Sequence, residues 1–160
     1  MNTSIKRPLK CDKQELESFE ILVRKGEEVA GDGLTERIRK AAFLLFLTDV
    51  DRSLIGVSAL KRPNPGYRAN VFQSAHSELR PEDFGLELGW VYVVESERGK
   101  RLSHILVEEL LPYARTERVY ATARELNLAM ISTIERYGFR REGSPYSSGN
   151  GHYNLLLFVR

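Results

Sequence analysis

Apolar positions along this chain change period several times, and each change predicts an element. Ile5, Arg7 and Leu9 alternate, which predicts a short first strand. Asp12 stands three residues ahead of Glu15, the spacing of a reciprocal helix cap. Leu16, Phe19, Leu22 and Val23 then repeat at helical spacing, and Gly26 is a natural stop. Residues 31–41, GDGLTERIRKA, read as a turn and a short second helix. AAFLLFL (41–47) is a continuous apolar run of strand length, as expected of a strand covered on both faces. SLIGVSALK (53–61) is its expected antiparallel partner across the tight connection DVDR. The two prolines and one glycine of RPNPGYR (62–68) predict a loop, followed by a helix over ANVFQSAHSEL (69–79).

The second half alternates regularly. LELGWVYVV (86–94) reads as a strand, RLSHILVEELL (101–111) as a helix bent or ended by Pro112, and RVYATA (118–123) as another strand. NLAMISTIERY (127–137) is a helix closed by Gly138. FRREG (139–143) and HYNLLLFVR (152–160) are the last strands, joined by the turn-rich SPYSSGNG. This order predicts an α/β fold with a sheet of mixed strand direction. With 160 residues and no internal repeat or linker, the chain reads as one domain spanning residues 1–160.

Composition narrows the function classes. Twenty-four basic residues face twenty-two acidic ones, too even a balance for a protein whose task is coating nucleic acid or an anionic membrane. A single cysteine, Cys11, excludes an internal disulfide, and three scattered histidines write no metal site. The longest apolar run is far short of a bilayer span, and the first residues hold no apolar signal core. The expectation is a cytoplasmic protein, monomeric or homodimeric, with no membrane contact.

Arg98-Gly99-Lys100-Arg101 falls where a strand hands over to a helix. A helix start carries unpaired amides and the positive end of the helix dipole, so such a junction can hold an anion. Taken alone, the charges are equally those of a solvated turn. Two stretches together resemble the GNAT superfamily of N-acetyltransferases. Val93 to Ser103 follows the family's acyl-CoA-binding wording, V-x-P-x-x-R-G-x-G-x-G/A, with Arg98 and Gly99 matched. Glu95 stands at its proline position, and Arg101 and Ser103 stand at its two later glycine positions. Downstream, Asn127 and Gly138-Phe139 keep the family's spacing of asparagine, helix and Gly-Phe. The resemblance covers essentially the whole chain.

It implies a mixed, mainly antiparallel sheet with helices on both faces and a splayed pair of parallel central strands. It also implies acetyl-CoA as cosubstrate and an amine as acetyl acceptor, acylated by direct transfer. The backbone of Val91, Tyr92 and Val93 would pair with the pantetheine arm. Amides from Arg98 through Gly99, Lys100, Arg101 and Leu102 to Ser103 would hold the pyrophosphate. Asn127 would bond the pantetheine arm, or cap its helix, or both. Gly89 would mark either a strand bulge or close packing.

An amine acceptor arrives as an ammonium with a pKa of roughly 10.4, so a base is needed. Glu87, in the strand where the family often places a glutamate, is the candidate. Simple alternation groups Glu87 with Gly89, Val91 and Val93, opposite Leu88, Trp90 and Tyr92. The competing reading makes Glu87 an edge residue or the partner of an arginine such as Arg124. The family's tyrosine acid has no counterpart, because its position holds Ile134. Tyr137, displaced by about a turn, reads as a packing residue. Thr122 and Arg124 end the neighbouring strand, and the loop with Tyr67 and Arg68 either shapes an acceptor pocket or only covers the core. His76, His104, His152 and Cys11 have no partner that suggests chemistry. A catalytically weak acyl-CoA-binding domain with a sensing or interaction role is the alternative to an active transferase.

Overall fold

The computed structural model describes residues 1–26 and 32–160; Gly31, the first residue of the turn expected over 31–41, lies outside them. Among the described residues, seven strands form one sheet: β1 (Asn2–Lys6), β2 (Phe43–Thr48), β3 (Leu54–Lys61), β4 (Leu86–Val93), β5 (Val119–Arg124), β6 (Arg140–Ser147) and β7 (Asn154–Val159). Their order across the sheet is β1-β2-β3-β4-β5-β7-β6. Every neighbouring pair is antiparallel except β4 and β5, which run parallel. Five α-helices connect them: α1 (Lys13–Lys25), α2 (Leu34–Arg39), α3 (Pro65–Ser74), α4 (Leu102–Leu110) and α5 (Leu128–Arg136).

Alternation along β2 sends its side chains to two different cores. Leu45 and Leu47 join Leu106, Val107 and Ile134 beneath α4 and α5. Leu44 and Phe46 join Phe19, Leu22, Leu34 and Ile38 beneath α1 and α2. This is the strand covered on both faces that its unbroken apolar run predicts. A third cluster packs Val71, Phe72 and Ala75 of α3 against Tyr120, Leu157 and Val159 of β5 and β7. One face of the sheet therefore carries two helical groups, α1–α2 and α3, with a seam between them over β4. No helix among the described residues is long and apolar enough to cross a membrane.

Local rules account for most boundaries. Asp12 and Glu15 cap α1 reciprocally: Glu15 N–H donates to Asp12 Oδ1 at 2.8 Å, and Asp12 N–H to Glu15 Oε2 at 3.0 Å. Two expectations fail at prolines. The alternation of Ile5, Arg7 and Leu9 does not continue the strand: Pro8 opens a turn of 3₁₀-helix and leaves Leu9 93% exposed. The loop expected over 62–68 already holds the start of α3, because Pro65 occupies a first-turn position that needs no N–H donor. Asn64 caps that helix by accepting from Gly66 N–H at 2.9 Å.

The seam is closed at its far end by β6. Its register against β7 slips between Glu142 and Tyr146, and the intervening residues swing onto the end of α3. There Ser144 N–H donates to Ala75 O at 2.7 Å, and Ser77 Oγ donates to Glu142 at 2.9 Å. Gly143 makes this approach possible. Its φ is +66°, and a Cβ on it would lie 2.0 Å from the Ala75 carbonyl oxygen. Gly143→Ala combines a left-handed penalty with a backbone clash and should cost about 2–4 kcal/mol. A denaturant melt checks this as a lower midpoint at unchanged slope.

Candidate functional site

The parallel pairing of β4 and β5 is short. It runs only from Leu86 opposite Val119 to Leu88 opposite Ala121, although both strands continue beyond. From Gly89 and Thr122 onward the two strands part, leaving a split in the middle of the sheet. The cause lies on the other edge of β4. Against β3 the register runs from Tyr92 opposite Val57 to Gly89 opposite Ala59, so β4 carries one extra residue there. Trp90 takes it up with a φ of +52°, a conformation bulky residues rarely adopt.

This bulge overturns the face assignment made from simple alternation. Leu86 and Leu88 face the α4 core before it, and Val91 and Val93 face the same core after it. Trp90 and Tyr92 pack instead against the α1–α2 core. Glu87 thus shares its face with Trp90 and Tyr92, not with Val91 and Val93. It lies in the seam, 3% exposed, the only buried acidic residue among those described.

Glu87 is closely attended. Its Oε1 is 2.7 Å from Lys61 Nζ, and its Oε2 accepts from the Tyr120 hydroxyl at 3.2 Å. Its ion-pair partner is therefore Lys61, whereas Arg124 at the end of β5 stacks 4.0 Å from the Tyr153 ring. Lys61 crosses Gly89 and sets its ammonium 5.1 Å from the Trp90 ring centre. Tyr67 of α3 and Tyr146 of β6 complete the surroundings. The negative charge of Glu87, with burial second, pushes the Tyr67 hydroxyl well above the ordinary tyrosine value. Burial first and Glu87 second do the same to Tyr120 and Tyr146. The Tyr146 hydroxyl and Arg68 Nε are buried with no hydrogen-bond partner among the described residues. Arg68 does donate through its other arm to Phe84 O at 3.0 Å.

On the opposite side of the split, β4 runs into a short 3₁₀ turn over Glu95–Glu97 and then residues 98–101. Gly99 has a φ of +82° and Arg101 a φ of +58°. Among the described residues, the amides of Gly99, Lys100, Arg101, Leu102 and Ser103 donate to no backbone carbonyl. They line the start of α4, where the helix dipole favours negative charge. The charged side chains here behave differently from one another. Lys100 pairs with Glu97 at 2.8 Å. Arg98 folds back over the Tyr92 ring at 5.6 Å and donates to Val93 O at 3.3 Å. Arg101 is exposed and makes no side-chain cap. Ser103 Oγ lies 3.4 Å from Thr133 Oγ1, which ties α4 to α5.

Asn127 caps α5, its side chain accepting from Met130 N–H at 3.1 Å. Ile134 is fully buried in the α4–α5 core. Tyr137 donates to Glu108 at 3.3 Å, on the helical side of the sheet away from Glu87. The Cys11 thiol is pushed up by burial, away from reactivity. Thr122 and Arg124 end β5 beside the split. Arg124 also lines an open groove of about 940 Å³ between the end of β5 and the β6–β7 turn, which contains His152 and Tyr153.

Three members of this cluster were not legible as site residues. Lys61 reaches Glu87 only through the β3–β4 register, which α3 and its flanking loops hide from any hairpin rule. Tyr120 reads as one more inward residue of an apolar strand. Tyr146 falls in a segment whose glycine, proline and serines read as a turn, although β6 extends through it.

A family model described as the acetyltransferase (GNAT) family matches residues 13–139. No curated protein matches the sequence. Among solved structures, an acyl-CoA N-acyltransferase from Pseudomonas aeruginosa is similar at 18% identity, covering 99% of this chain and 98% of that one, with a TM-score of 0.69. The protein yncA from Salmonella typhimurium, solved with its cofactor acetyl-CoA, aligns at 15% identity over 100% and 94% of the two chains, TM-score 0.70. Arabidopsis thaliana NAA60 in complex with acetyl-CoA aligns at 16% identity over 99% and 98%, TM-score 0.67.

The tyrosine cluster makes a measurable claim on alkaline stability. A raised folded pKa means the folded chain keeps protons that the unfolded chain releases above about pH 10. The contribution of Tyr120 and Tyr146, whose hydroxyls are buried, is therefore complete below that pH and lost as pH rises past it. In a spectrophotometric titration, the tyrosinate absorbance should stay short of its seven-tyrosine amplitude until the fold itself is lost. Full amplitude in the still-folded protein would contradict the burial of this cluster.

Proposed function

We propose, since this chain belongs to the acetyltransferase (GNAT) family, that it transfers an acetyl group from acetyl-CoA directly to an amine. The observation that carries this reading is a buried carboxylate, Glu87, held against an ammonium at the mouth of the β4–β5 split. The chain offers acetyl-CoA a matching cradle. Five unengaged amides, from Gly99 to Ser103, suit the pyrophosphate, and Gly99 has open space where a side chain would stand. The edge of β4 that faces β5, unpaired from Val91 through Tyr92 to Val93, suits the pantetheine arm as an added strand. Asn127 keeps its side-chain NH₂ for the same arm while its oxygen caps α5. Acetyl-CoA supplies an activated acyl group as a thioester.

The chain's own residues solve the proton problem. Glu87 receives a proton from the acceptor ammonium, directly or through a water, which frees the nitrogen lone pair. The Tyr120 hydroxyl, kept protonated by burial, holds the carboxylate in place. The unpartnered Tyr146 hydroxyl supplies a further donor in the same seam. Ile134 offers no acid, and Tyr137 is committed to Glu108 on the far side, so the thiolate takes its proton from water. A thiol pKa of roughly 8.5 makes that tolerable. The acceptor approaches along the seam edged by Tyr67 and Arg68. The missing tyrosine acid also supports a second reading, a weakly active acyl-CoA-binding domain.

Two measurements test the proposal. Acetyl-CoA should raise the melting temperature of the wild type, and Gly99→Asp should reduce that shift by placing a carboxylate beside the phosphates. No heat of binding and no thermal shift at millimolar acetyl-CoA would end the assignment. Glu87→Gln should leave acetyl-CoA affinity nearly unchanged while turnover of an amine found by screening falls about a hundredfold or more. Its rate should climb more steeply with pH, since more substrate must arrive already deprotonated. Normal turnover with an unchanged profile would remove Glu87 from the chemistry.

A further inference from the structure

We propose that Lys61 is itself an acetylation site, modified by the protein's own active centre. The inference rests on the acetyltransferase reading above and extends it to a residue of this chain. An acceptor for that reaction needs a primary amine, a carboxylate within hydrogen-bond reach to deprotonate it, and a place at the split between β4 and β5. Lys61 meets all three. Its Nζ is 2.7 Å from Glu87 Oε1, and the two side chains are only 17% and 4% exposed.

Its position relative to the split is fixed by Gly89, the first β4 residue beyond the last parallel pair, Leu88 with Ala121. Lys61 lies directly across it: a Cβ on Gly89 would stand 2.6 Å from Lys61 Cε and 2.9 Å from Nζ. Trp90 holds the ammonium from the next position along, 5.1 Å from its ring centre. The groups facing Nζ are thus Glu87 from its own sheet neighbour, with Tyr120 behind the carboxylate, and the Trp90 ring. The ammonium of Lys61 therefore stands where an external amine would have to be placed.

The step balances with acetyl-CoA as the sole co-reactant. Lys61 loses one proton to Glu87, and its lone pair forms an N–C bond to the acyl carbon. The C–S bond breaks, and its electron pair leaves with sulfur, which ends as the CoA thiol. Nζ sheds its second proton as the amide forms, so the products are N-acetyl-Lys61, CoA thiol and one proton. The modification removes the counter-charge of Glu87 and leaves that carboxylate available to an incoming ammonium.

Chemical acetylation without a site would follow exposure, which gives the control. Lys13 and Lys40, whose side chains are 90% and 70% exposed, also pair with glutamates, Glu17 and Glu36, but at the surface and not with Glu87. The full chain, incubated with acetyl-CoA carrying a deuterated acetyl group and then digested, should show label at Lys61 at least about tenfold faster than at either control lysine. The rate at saturating acetyl-CoA should not change with protein concentration, as an intramolecular step requires. Glu87→Gln should slow labelling of Lys61 to the level of the controls, with its retained acetyl-CoA thermal shift confirming that the variant is folded. A readout without the donor accompanies these. Lys61→Gln, a neutral analogue of the acetylated side chain, should melt several degrees below the wild type, matching the acetylated protein. A Lys61 that lags behind Lys13 and Lys40 overturns the proposal, even where the protein acetylates added amines and the transferase reading stands. Failure to bind acetyl-CoA in calorimetry defeats both readings together, and a Lys61→Gln melting point equal to wild type shows that the ion pair behind the proposal is not formed.

Discussion

One inserted residue in β4 determines the chemistry available to this fold. A strand alternates its side chains with period two, so a single extra residue exchanges the faces of everything beyond it. Without the Trp90 bulge, Val91 and Val93 would share the face of Glu87, and the seam would be lined with aliphatic groups on both sides of the carboxylate. With it, the aromatic rings of Trp90 and Tyr92 join Glu87, and the valines return to the α4 core. The extra residue also turns β4 away from β5 after Leu88, which opens the split. A left-handed tryptophan costs on the order of 1–2 kcal/mol. Burial of its ring edge-on to Phe19, at 6.2 Å, offsets that cost, and Lys61 adds a cation above it.

The bulge then creates a second problem, a carboxylate out of water. Glu87 tolerates its burial because it is both paired and hydrogen-bonded, by Lys61 on one oxygen and Tyr120 on the other. Such an arrangement is a poor way to stabilise a protein, since apolar side chains of similar volume generally do as well or better. Nor does the sheet need it: β3 and β4 are already joined by backbone pairing through this region. What the pair achieves is to keep a charged oxygen at a fixed place beside an opening in the sheet. The donors around it reinforce that state. Burial holds Tyr120 and Tyr146 in the protonated form, so neither competes with Glu87 as the base of the seam.

Much of the architecture was legible because it depends on short-range pattern. The Asp12–Glu15 box, the apolar run of β2, and the Asn127-to-Gly138 helix each carry their own boundary signals. The two proline errors show the limit of such signals, because a proline breaks one element and begins another depending on a single position. Pro8 ends a strand; Pro65 starts a helix. The candidate site was only half visible for a different reason. Glu87 and the turn from Arg98 to Ser103 stand out locally, whereas Lys61 and Tyr146 come from strands whose registers are set by tertiary packing. A bulge inside an apolar strand leaves no mark on hydrophobicity. Glycine at position 89 hinted at it, yet the residue that bears the positive φ is Trp90.

The turn before α4 makes the complementary point about conformation and identity. Glycine at the Arg101 position would adopt a φ near +58° without penalty, and arginine adopts the same backbone there at a cost of about 1–2 kcal/mol. What an anion meets at this turn is a row of amides without backbone acceptors, in a backbone that is left-handed at 99 and 101. Side-chain size matters less, because the Arg101 side chain is exposed and makes no hydrogen bond to the helix start. Gly99 differs, although a Cβ there would meet nothing within 4 Å. Its φ of +82°, at the first of the free amides, makes backbone freedom, not packing, the reason for glycine. A sequence pattern for this junction is therefore a pattern of backbone angles, and a residue that departs from it in chemistry can still conform to it in geometry.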